Sequence, residues 1–310
     1  MKTKFFFLLA AVLLSACTMI SLIACSKSES EEGIEPFPTP TPTPAEQIPI
    51  NISLGLSTRA TDSSFEQGDC VGVYIVNYDG TQPGTFQNKG NHVDNHKLSY
   101  TGRWVSDETV YWKDETTHAD FYAYYPYRAE INNVSSMPFS TSTDQSSYTN
   151  YTASDLLWGK VANQAPTSDP IYINTRHLMS SAVIKLVAGD GFTATSLSQA
   201  NPQVTINGVK TEMSFDLTKG EFTVTGQATS VTPYHKQGVW YAHLVPQTVS
   251  DSGFITVKID GRNYRMSKDF TLESGKRHQF TVTVNKTSAG INVGITAWDT
   301  DDVDNGGVAE

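Results

Sequence analysis

The sequence predicts an all-β protein: two β-sandwiches carried behind an export signal and an extended stalk. From Ile50 onward, apolar residues fall at alternate positions in short runs, as in Phe280, Val282 and Val284. Outside the N-terminal segment, no stretch longer than about ten residues keeps apolar residues at the 3.6-residue helical period. Proline or glycine punctuates each run, the pattern of many short strands joined by turns. The 310 residues, 38% of them hydrophobic, are enough for two ordinary cores at about 150 residues per domain.

The first element is a signal. Lys2 and Lys4 precede the apolar run Phe5 to Ala16, and small residues lead into two cysteines, the layout of a secretory leader rather than a spanning helix. Both Leu14–Cys17 (LSAC) and Leu22–Cys25 (LIAC) resemble the bacterial lipobox, whose cysteine becomes the lipid-bearing first residue. Thr18 to Ala24 stay largely apolar, whereas SKSESEE after Cys25 turns polar and acidic at once, so Cys25 is the expected lipid anchor and Cys17 the alternative. The signal then covers 1–24. The acidic run resembles the tag of Bacteroidetes lipoproteins exported to the outer face of the outer membrane. With Cys25 lipidated, Cys70 is the remaining cysteine and no internal disulfide is expected. Cys70 alternates with Gly72, Tyr74 and Val76, which marks it as a small buried hydrophobe.

Residues 25–47 form a linker. Its Thr-Pro alternation removes every second backbone donor and favours polyproline II, extending about 3 Å per residue, so it acts as a semi-rigid spacer. Residues 48–190 are the expected N-terminal sandwich and 191–310 the C-terminal one with an acidic tail, the boundary falling within Val187 to Ser196. The first sandwich opens with Ile48, Ile50, Ile52, Leu54 and Leu56 on one face of a strand, followed by CVGVYIVNYDG, ADFYAYYPY, PIYINT and SAVIKLVAG. In the second, Met213, Phe215 and Leu217 lead through TKGE to Phe222 and Val224, and Ile255, Val257 and Ile259 lead through Asp260-Gly261 to Tyr264 and Met266; both read as hairpins. The closing pair is HQFTVTVNKT and GINVGITAWD, the latter alternating Ile291, Val293 and Ile295.

Charge and motifs exclude several classes of function. Against 32 Asp+Glu the chain sets 22 Lys+Arg, a net charge of −10 without a basic cluster, so the counterion release that drives nucleic-acid binding is missing. His92 and His96 have i, i+4 spacing, but NKGNHVDNHK reads as a polar loop and not as a helix that would converge them on a metal. His243, within VWYAHLVP, reads as a satisfied, partly buried strand residue. Asp299, Asp301, Asp302 and Asp304 approach a calcium loop, yet Val303 stands where the third acid belongs, so this is a solvated tail. No Gly-x-Ser-x-Gly elbow, HExxH or phosphate-cradling glycine loop occurs, and neither an enzyme nor a cofactor is expected. Trp104, Tyr111, Trp112, Tyr122, Tyr124, Tyr125 and Tyr127 have the faces to stack on sugars, but at period two core packing accounts for most of them.

Arg59 stands apart, the nearest basic residues being Lys27 and Lys89. Its surroundings, TRATDSSFEQGDCVGVYIV, together with YWKDETTHADFYAYYPY, DLLWGKV, RHLMSSAVIKL and LESGKRHQFTVTVNKTSAGINVGITAWD, resemble the fimbrillin-like family, the major and minor subunits of lipoprotein-derived pili. The resemblance runs from the signal to Asp299. It implies two tandem Greek-key, transthyretin-like sandwiches, and an outer-membrane lipoprotein precursor that an arginine-specific protease cuts after its first strand. On this chain the cut falls between Arg59 and Ala60, removing the lipid at Cys25, the stalk and Ile48 to Ser57.

Loss of that strand opens an apolar groove flanked by unpaired backbone, which a neighbouring subunit's strand fills in a head-to-tail polymer. Five apolar side chains at about 1.5 to 3 kcal/mol each contribute about 10 kcal/mol before ordering costs. The resemblance points to Ile291 to Trp298, with Ile291, Val293 and Ile295, as the donor strand. The competing expectation is a surface-anchored glycan-binding lipoprotein that stays monomeric.

Overall fold

Strands form where β-branched and aromatic residues alternate with polar ones, since that pattern suits a pleated surface buried on one face. In the computed structural model the described residues are 47–56, 64–250 and 253–286, with the backbone of 302–304 and 307–309. The N-terminal half contains β1 (Ile52–Leu56), β2 (Cys70–Asp79), β3 (Gln82–Pro83), β4 (Val93–Tyr100), β5 (Trp104–Val105), β6 (Ala119–Tyr125), β7 (Met137–Ser140), helix α1 (Tyr148–Ala153), β8 (Leu157–Gln164) and β9 (Ile171–His177). Seven of these strands run in the order β1-β9-β8-β6-β2-β4-β5, with β3 pairing onto β2. The β1–β9 pair is parallel and the other pairs of this sheet are antiparallel.

The rest of the chain adds β10 (Ser180–Ala188), helix α2 (Ala194–Gln199), β11 (Gln203–Asp216), β12 (Glu221–Val231), β13 (Tyr234–Lys236), β14 (Val239–Leu244), β15 (Gln247–Val249), β16 (Ile255–Ile259), β17 (Arg262–Met266), β18 (Phe270–Leu272), β19 (Arg277–Val284), β20 (Asp302–Asp304) and β21 (Gly307–Ala309). One sheet runs β13-β14-β10-β19, with β20 and β21 both on the far edge of β19; a second runs β12-β11-β16-β17 and also takes β7 onto β11; β15 and β18 form a ribbon. Both expected hairpins are present. Met213 faces Val224 and Phe215 faces Phe222, while Val257 faces Tyr264 across the turn at Asp260 and Gly261, both at positive φ as the tight turn requires.

Burial explains why the YAYY run alternates aromatic and small residues. β6 is covered on both faces: Phe121 and Ala123 join Val73, Ile75, Trp112 and Ile173, whereas Tyr122 and Tyr124 join Tyr74, Met137, Phe139 and Leu178. The second of these cores also takes Met213, Phe215 and Leu217 from β11 and the residues just after it, so the two halves of the chain share it. A third core, of Ile184, Trp240, Leu244, Ile206, Val257, Phe280 and Val282 among others, lies between the C-terminal sheets.

Several elements differ from expectation. β10, read with the N-terminal segment, pairs antiparallel with β14 and parallel with β19, so its sheet partners all come later in the chain. NKGNHVDNHK, read as a loop, runs into β4: its backbone pairs with β2 although Leu98 is its one buried side chain, which is why the alternation is faint. The acidic tail, read as solvated, supplies two short backbone segments that pair in parallel with β19, giving partners to an edge that would otherwise present unpaired N–H and C=O groups.

Candidate functional site

The N-terminal strand is held at the sheet edge by backbone, side-chain donors and packing together. Ile50 N donates to Val110 O and Trp112 N to Ile48 O, each at 2.9 Å, and Ile171 N donates to Asn51 O at 2.7 Å. From Ile52 the chain runs parallel to β9, with Leu54 opposite Ile173 and Gly55 opposite Asn174. Ile50 and Leu54 are only 6% and 7% exposed. They sit in the core with Phe121 and Ile173; Ile48 and Ile52 pack against it, and Leu56 is half-buried.

Three side-chain bonds reinforce the strand. The Trp104 indole donates to Leu54 O at 3.2 Å, the buried Thr175 hydroxyl donates to Gly55 O at 3.1 Å, and the Asn51 amide donates to Ser168 O at 3.1 Å. Sequence reasoning recognised the apolar face of β1 but not Trp104 or Thr175, because their partners lie 50 and 120 residues away. Trp104 was legible as an aromatic of uncertain role, and Thr175 carried no signal.

Residues 57–63 lie outside the described residues; from Phe65 onward the chain is held by aromatic and hydroxyl contacts. The Phe65 ring lies edge-on to Trp104 at 4.7 Å and also approaches Tyr100 and Tyr125. Glu66 accepts the Tyr148 hydroxyl at 2.7 Å, and Asp69 accepts the Tyr125 hydroxyl at 3.2 Å. Trp104 therefore contacts both Leu54 and Phe65, the described residues to either side of 57–63. Cys17, Cys25, Arg59, Ala60, Ile291, Val293 and Ile295 all lie outside the described residues.

A second polar constellation sits where the halves meet. Asp155 bonds His177 Nδ1 at 2.7 Å and lies 4.0 Å from His243 Nδ1, and Tyr151 stacks on the His243 ring at 4.4 Å. Burial pushes the Asp155 carboxyl up, but the neighbouring His243 and His177 outweigh it and hold the group below the usual carboxylate range. The buried Gln145 side chain acts as a strand surrogate, donating to His243 O at 2.8 Å and accepting its N–H at 2.9 Å. These bonds place His243 in a structural network, as its strand position implied.

The other histidines are dispersed. His92 Nε2 meets Tyr111 O at 2.7 Å, and His96 lies on β4 with a buried Nε2. Among the described residues no group of three or more His, Cys, Asp or Glu is placed to hold a metal ion. Cys70 is half-buried, its thiol reaching Gly68 O at 3.3 Å and the Ser99 hydroxyl at 3.5 Å. On the outer face of β8 and β9, Trp158, Lys160, Asn174 and Arg176 line a shallow groove. Arg176 lies over the Trp158 ring, Lys160 pairs with Asp120 at 2.9 Å, and Tyr172 on the same face is 67% exposed.

With this edge strand and its surroundings defined, comparison with known proteins is decisive at the family level: the model of the fimbrillin-like family matches residues 58–298. The chain belongs to the fimbrillin-like family. A Bacteroides uniformis protein named as fimbrium subunit Fim1C is 25% identical over 259 residues, covering 78% of this chain and 82% of that one. Among solved structures, one described as a cell adhesion protein of Bacteroides uniformis aligns with a TM-score of 0.61 at 20% identity, covering 79% of this chain and 94% of its own. Another so described, from Bacteroides ovatus, aligns with the same TM-score at 18% identity, covering 77% and 92%. These structures share the all-β fold of this fimbrillin-like chain.

Proposed function

We propose that the protein is a structural subunit of a cell-surface fimbrium. It is exported as a lipoprotein anchored in the outer membrane through Cys25, or through Cys17, cut after Arg59 by an arginine-specific protease, and polymerised head to tail with other pilus subunits by strand replacement. The observation that carries this reading is β1: an edge strand whose apolar face completes a core and whose chain passes directly into the segment containing Arg59. A cut there separates anchor, stalk and strand from a body that remains anchored at Phe65 and Glu66. The vacated site would expose Ile173 and the β9 edge, and a strand from a neighbouring subunit restores both the backbone bonds and the apolar contacts. Because such a contact is heterologous, it propagates as a filament. The relative named as a fimbrium subunit supports the same reading.

Treating purified precursor with an arginine-specific protease tests it. The expected result is an N-terminus at Ala60 and a ladder of oligomers that collapses on heating, while Arg59→Ala stays monomeric. Persistent monomers after complete cleavage at Arg59 would overturn it. A second reading, a tethered glycan-binding lipoprotein, is favoured by the exposed Tyr172 beside the groove of Trp158, Asn174 and Arg176. It requires a change in tryptophan fluorescence on adding polysaccharide, with no processing at Arg59.

A further inference from the structure

The outer face of β8 and β9 holds a fixed cation that has no acid. Alternate residues of a strand share a face, so Tyr172, Asn174 and Arg176 stand exposed in one row, opposite the buried Ile171, Ile173 and Thr175. Arg176 is positioned by its surroundings. Its guanidinium lies over the Trp158 ring at 5.5 Å and Nη2 donates to Gly220 O at 3.0 Å, while the Trp158 indole donates to Leu217 O at 2.8 Å. The turn between β11 and β12 thus fixes ring and guanidinium together. Among the described residues Arg176 nonetheless makes no ion pair with a carboxylate. Lys160 differs, because Asp120 at 2.9 Å and the Tyr122 ring at 4.7 Å already answer its charge.

A guanidinium held in place with N–H donors left over is a receptor for a planar anion, which it grips through two parallel hydrogen bonds. The neighbours define the rest of the ligand. Gly159 and Ala162 keep the groove floor low beside Asn174, whose exposed amide offers both a donor and an acceptor, as neighbouring hydroxyls require. At the far end Tyr172 is 67% exposed and presents an aromatic face to an apolar ring surface. Four residues separate it from Arg176, a span of about 13 Å, longer than a single sugar ring. Resting on the glycan-binding reading of this groove, and not on the fate of the anchor, we propose that it binds an oligosaccharide bearing a carboxylate. The acid group sits on Arg176, hydroxyls meet Asn174, and a second sugar stacks on Tyr172. All three residues belong to β9, so the site stays with the body whether or not the chain is cut at Arg59.

Titration calorimetry on the purified precursor tests this, with oligogalacturonate, oligoguluronate and a chondroitin tetrasaccharide as probes beside their carboxyl-reduced forms. At least one acidic oligomer should bind at least about tenfold tighter than its reduced form. Arg176→Gln should abolish that preference and Arg176→Lys restore part of it. Tyr172→Ala should weaken the acidic and reduced forms alike, about fivefold, since stacking does not sense the charge. Because Arg176 also bonds Gly220 O, its variants are compared by melting temperature; Tyr172 and Asn174 are exposed, and Tyr172→Ala and Asn174→Ala carry the test if the Arg176 variants unfold. Equal, Tyr172-dependent affinity for acidic and reduced forms would overturn the acid specificity and leave the glycan reading standing. No binding of any probe at millimolar concentration would sink both. Displacement of the bound oligosaccharide by an equal concentration of a glutamate decamer would make this a site for acidic peptide and overturn the proposal.

Discussion

Leu54→Ala should harm the protein before processing and leave the assembled fibre untouched. Leu54 is 7% exposed, in the core with Ile173 and Phe121. Truncating a buried leucine costs about 2 to 5 kcal/mol, and at a sheet edge, where neighbours can relax into part of the space, the lower end of about 2 to 3 kcal/mol applies. For a body of this size each kcal/mol moves Tm by about 2 to 4 °C, so the uncut chain should melt about 5 to 10 °C lower in scanning calorimetry. Under the proposed strand replacement, β1 is absent from the fibre and a neighbour's strand fills the site, so dissociation of oligomers by heat should match the parent. Ile173→Ala is the counterpart: Ile173 lines the site from β9, is 0% exposed and remains after the cut. It should destabilise precursor and fibre alike. A fibre weakened by Leu54→Ala, or one indifferent to Ile173→Ala, would refute the claim that β1 is discarded and its site refilled.

Three further outcomes follow from other parts of the fold. Asp155→Asn should cost about 1 to 3 kcal/mol near neutral pH by replacing the buried carboxylate that bonds His177 Nδ1 at 2.7 Å with a neutral amide. The folded pKa of Asp155 lies below the ordinary 3.8, so its contribution is full above that value and fades as pH falls through the folded one; denaturant curves of parent and variant should converge in acid. His278 is buried and accepts the Glu273 N–H at Nε2, so its neutral ring is the bonded form, and burial lowers its pKa from 6.5. Stability should therefore be complete above 6.5 and decline as pH falls below it, an effect that His278→Gln reduces and that His96, also lowered by burial, shares. Gly220→Ala should cost about 2 kcal/mol by urea denaturation, because Gly220 has φ +73° and an added methyl would meet the Trp158 ring.

Pairings set by local alternation were readable from the sequence and those set by distant partners were not. The β11–β12 and β16–β17 hairpins follow from apolar residues at period two around a glycine turn, and the face of β1 follows from the spacing of Ile48 to Leu56. β4 hid behind polar side chains because its place comes from backbone bonds to β2. The allegiance of β10 was illegible because its parallel partner, β19, begins almost a hundred residues later, and no local pattern distinguishes parallel from antiparallel pairing. In the site, residue types announced the strand itself. Trp104, Thr175 and Ser168 became part of it only through folding, since each acts through a main-chain group or a distant amide and not through a motif.

The core shared between the halves has a mechanical consequence. Tyr74, Tyr122 and Tyr124 pack with Met213, Phe215 and Leu217, and β7 crosses to pair with β11. A load pulling the N-terminal and C-terminal parts of the body in opposite directions must shear this aromatic interior and strip a strand pairing before any segment can pay out as slack. Such a body should stretch little and then give way abruptly, as a rivet does and a hinge does not.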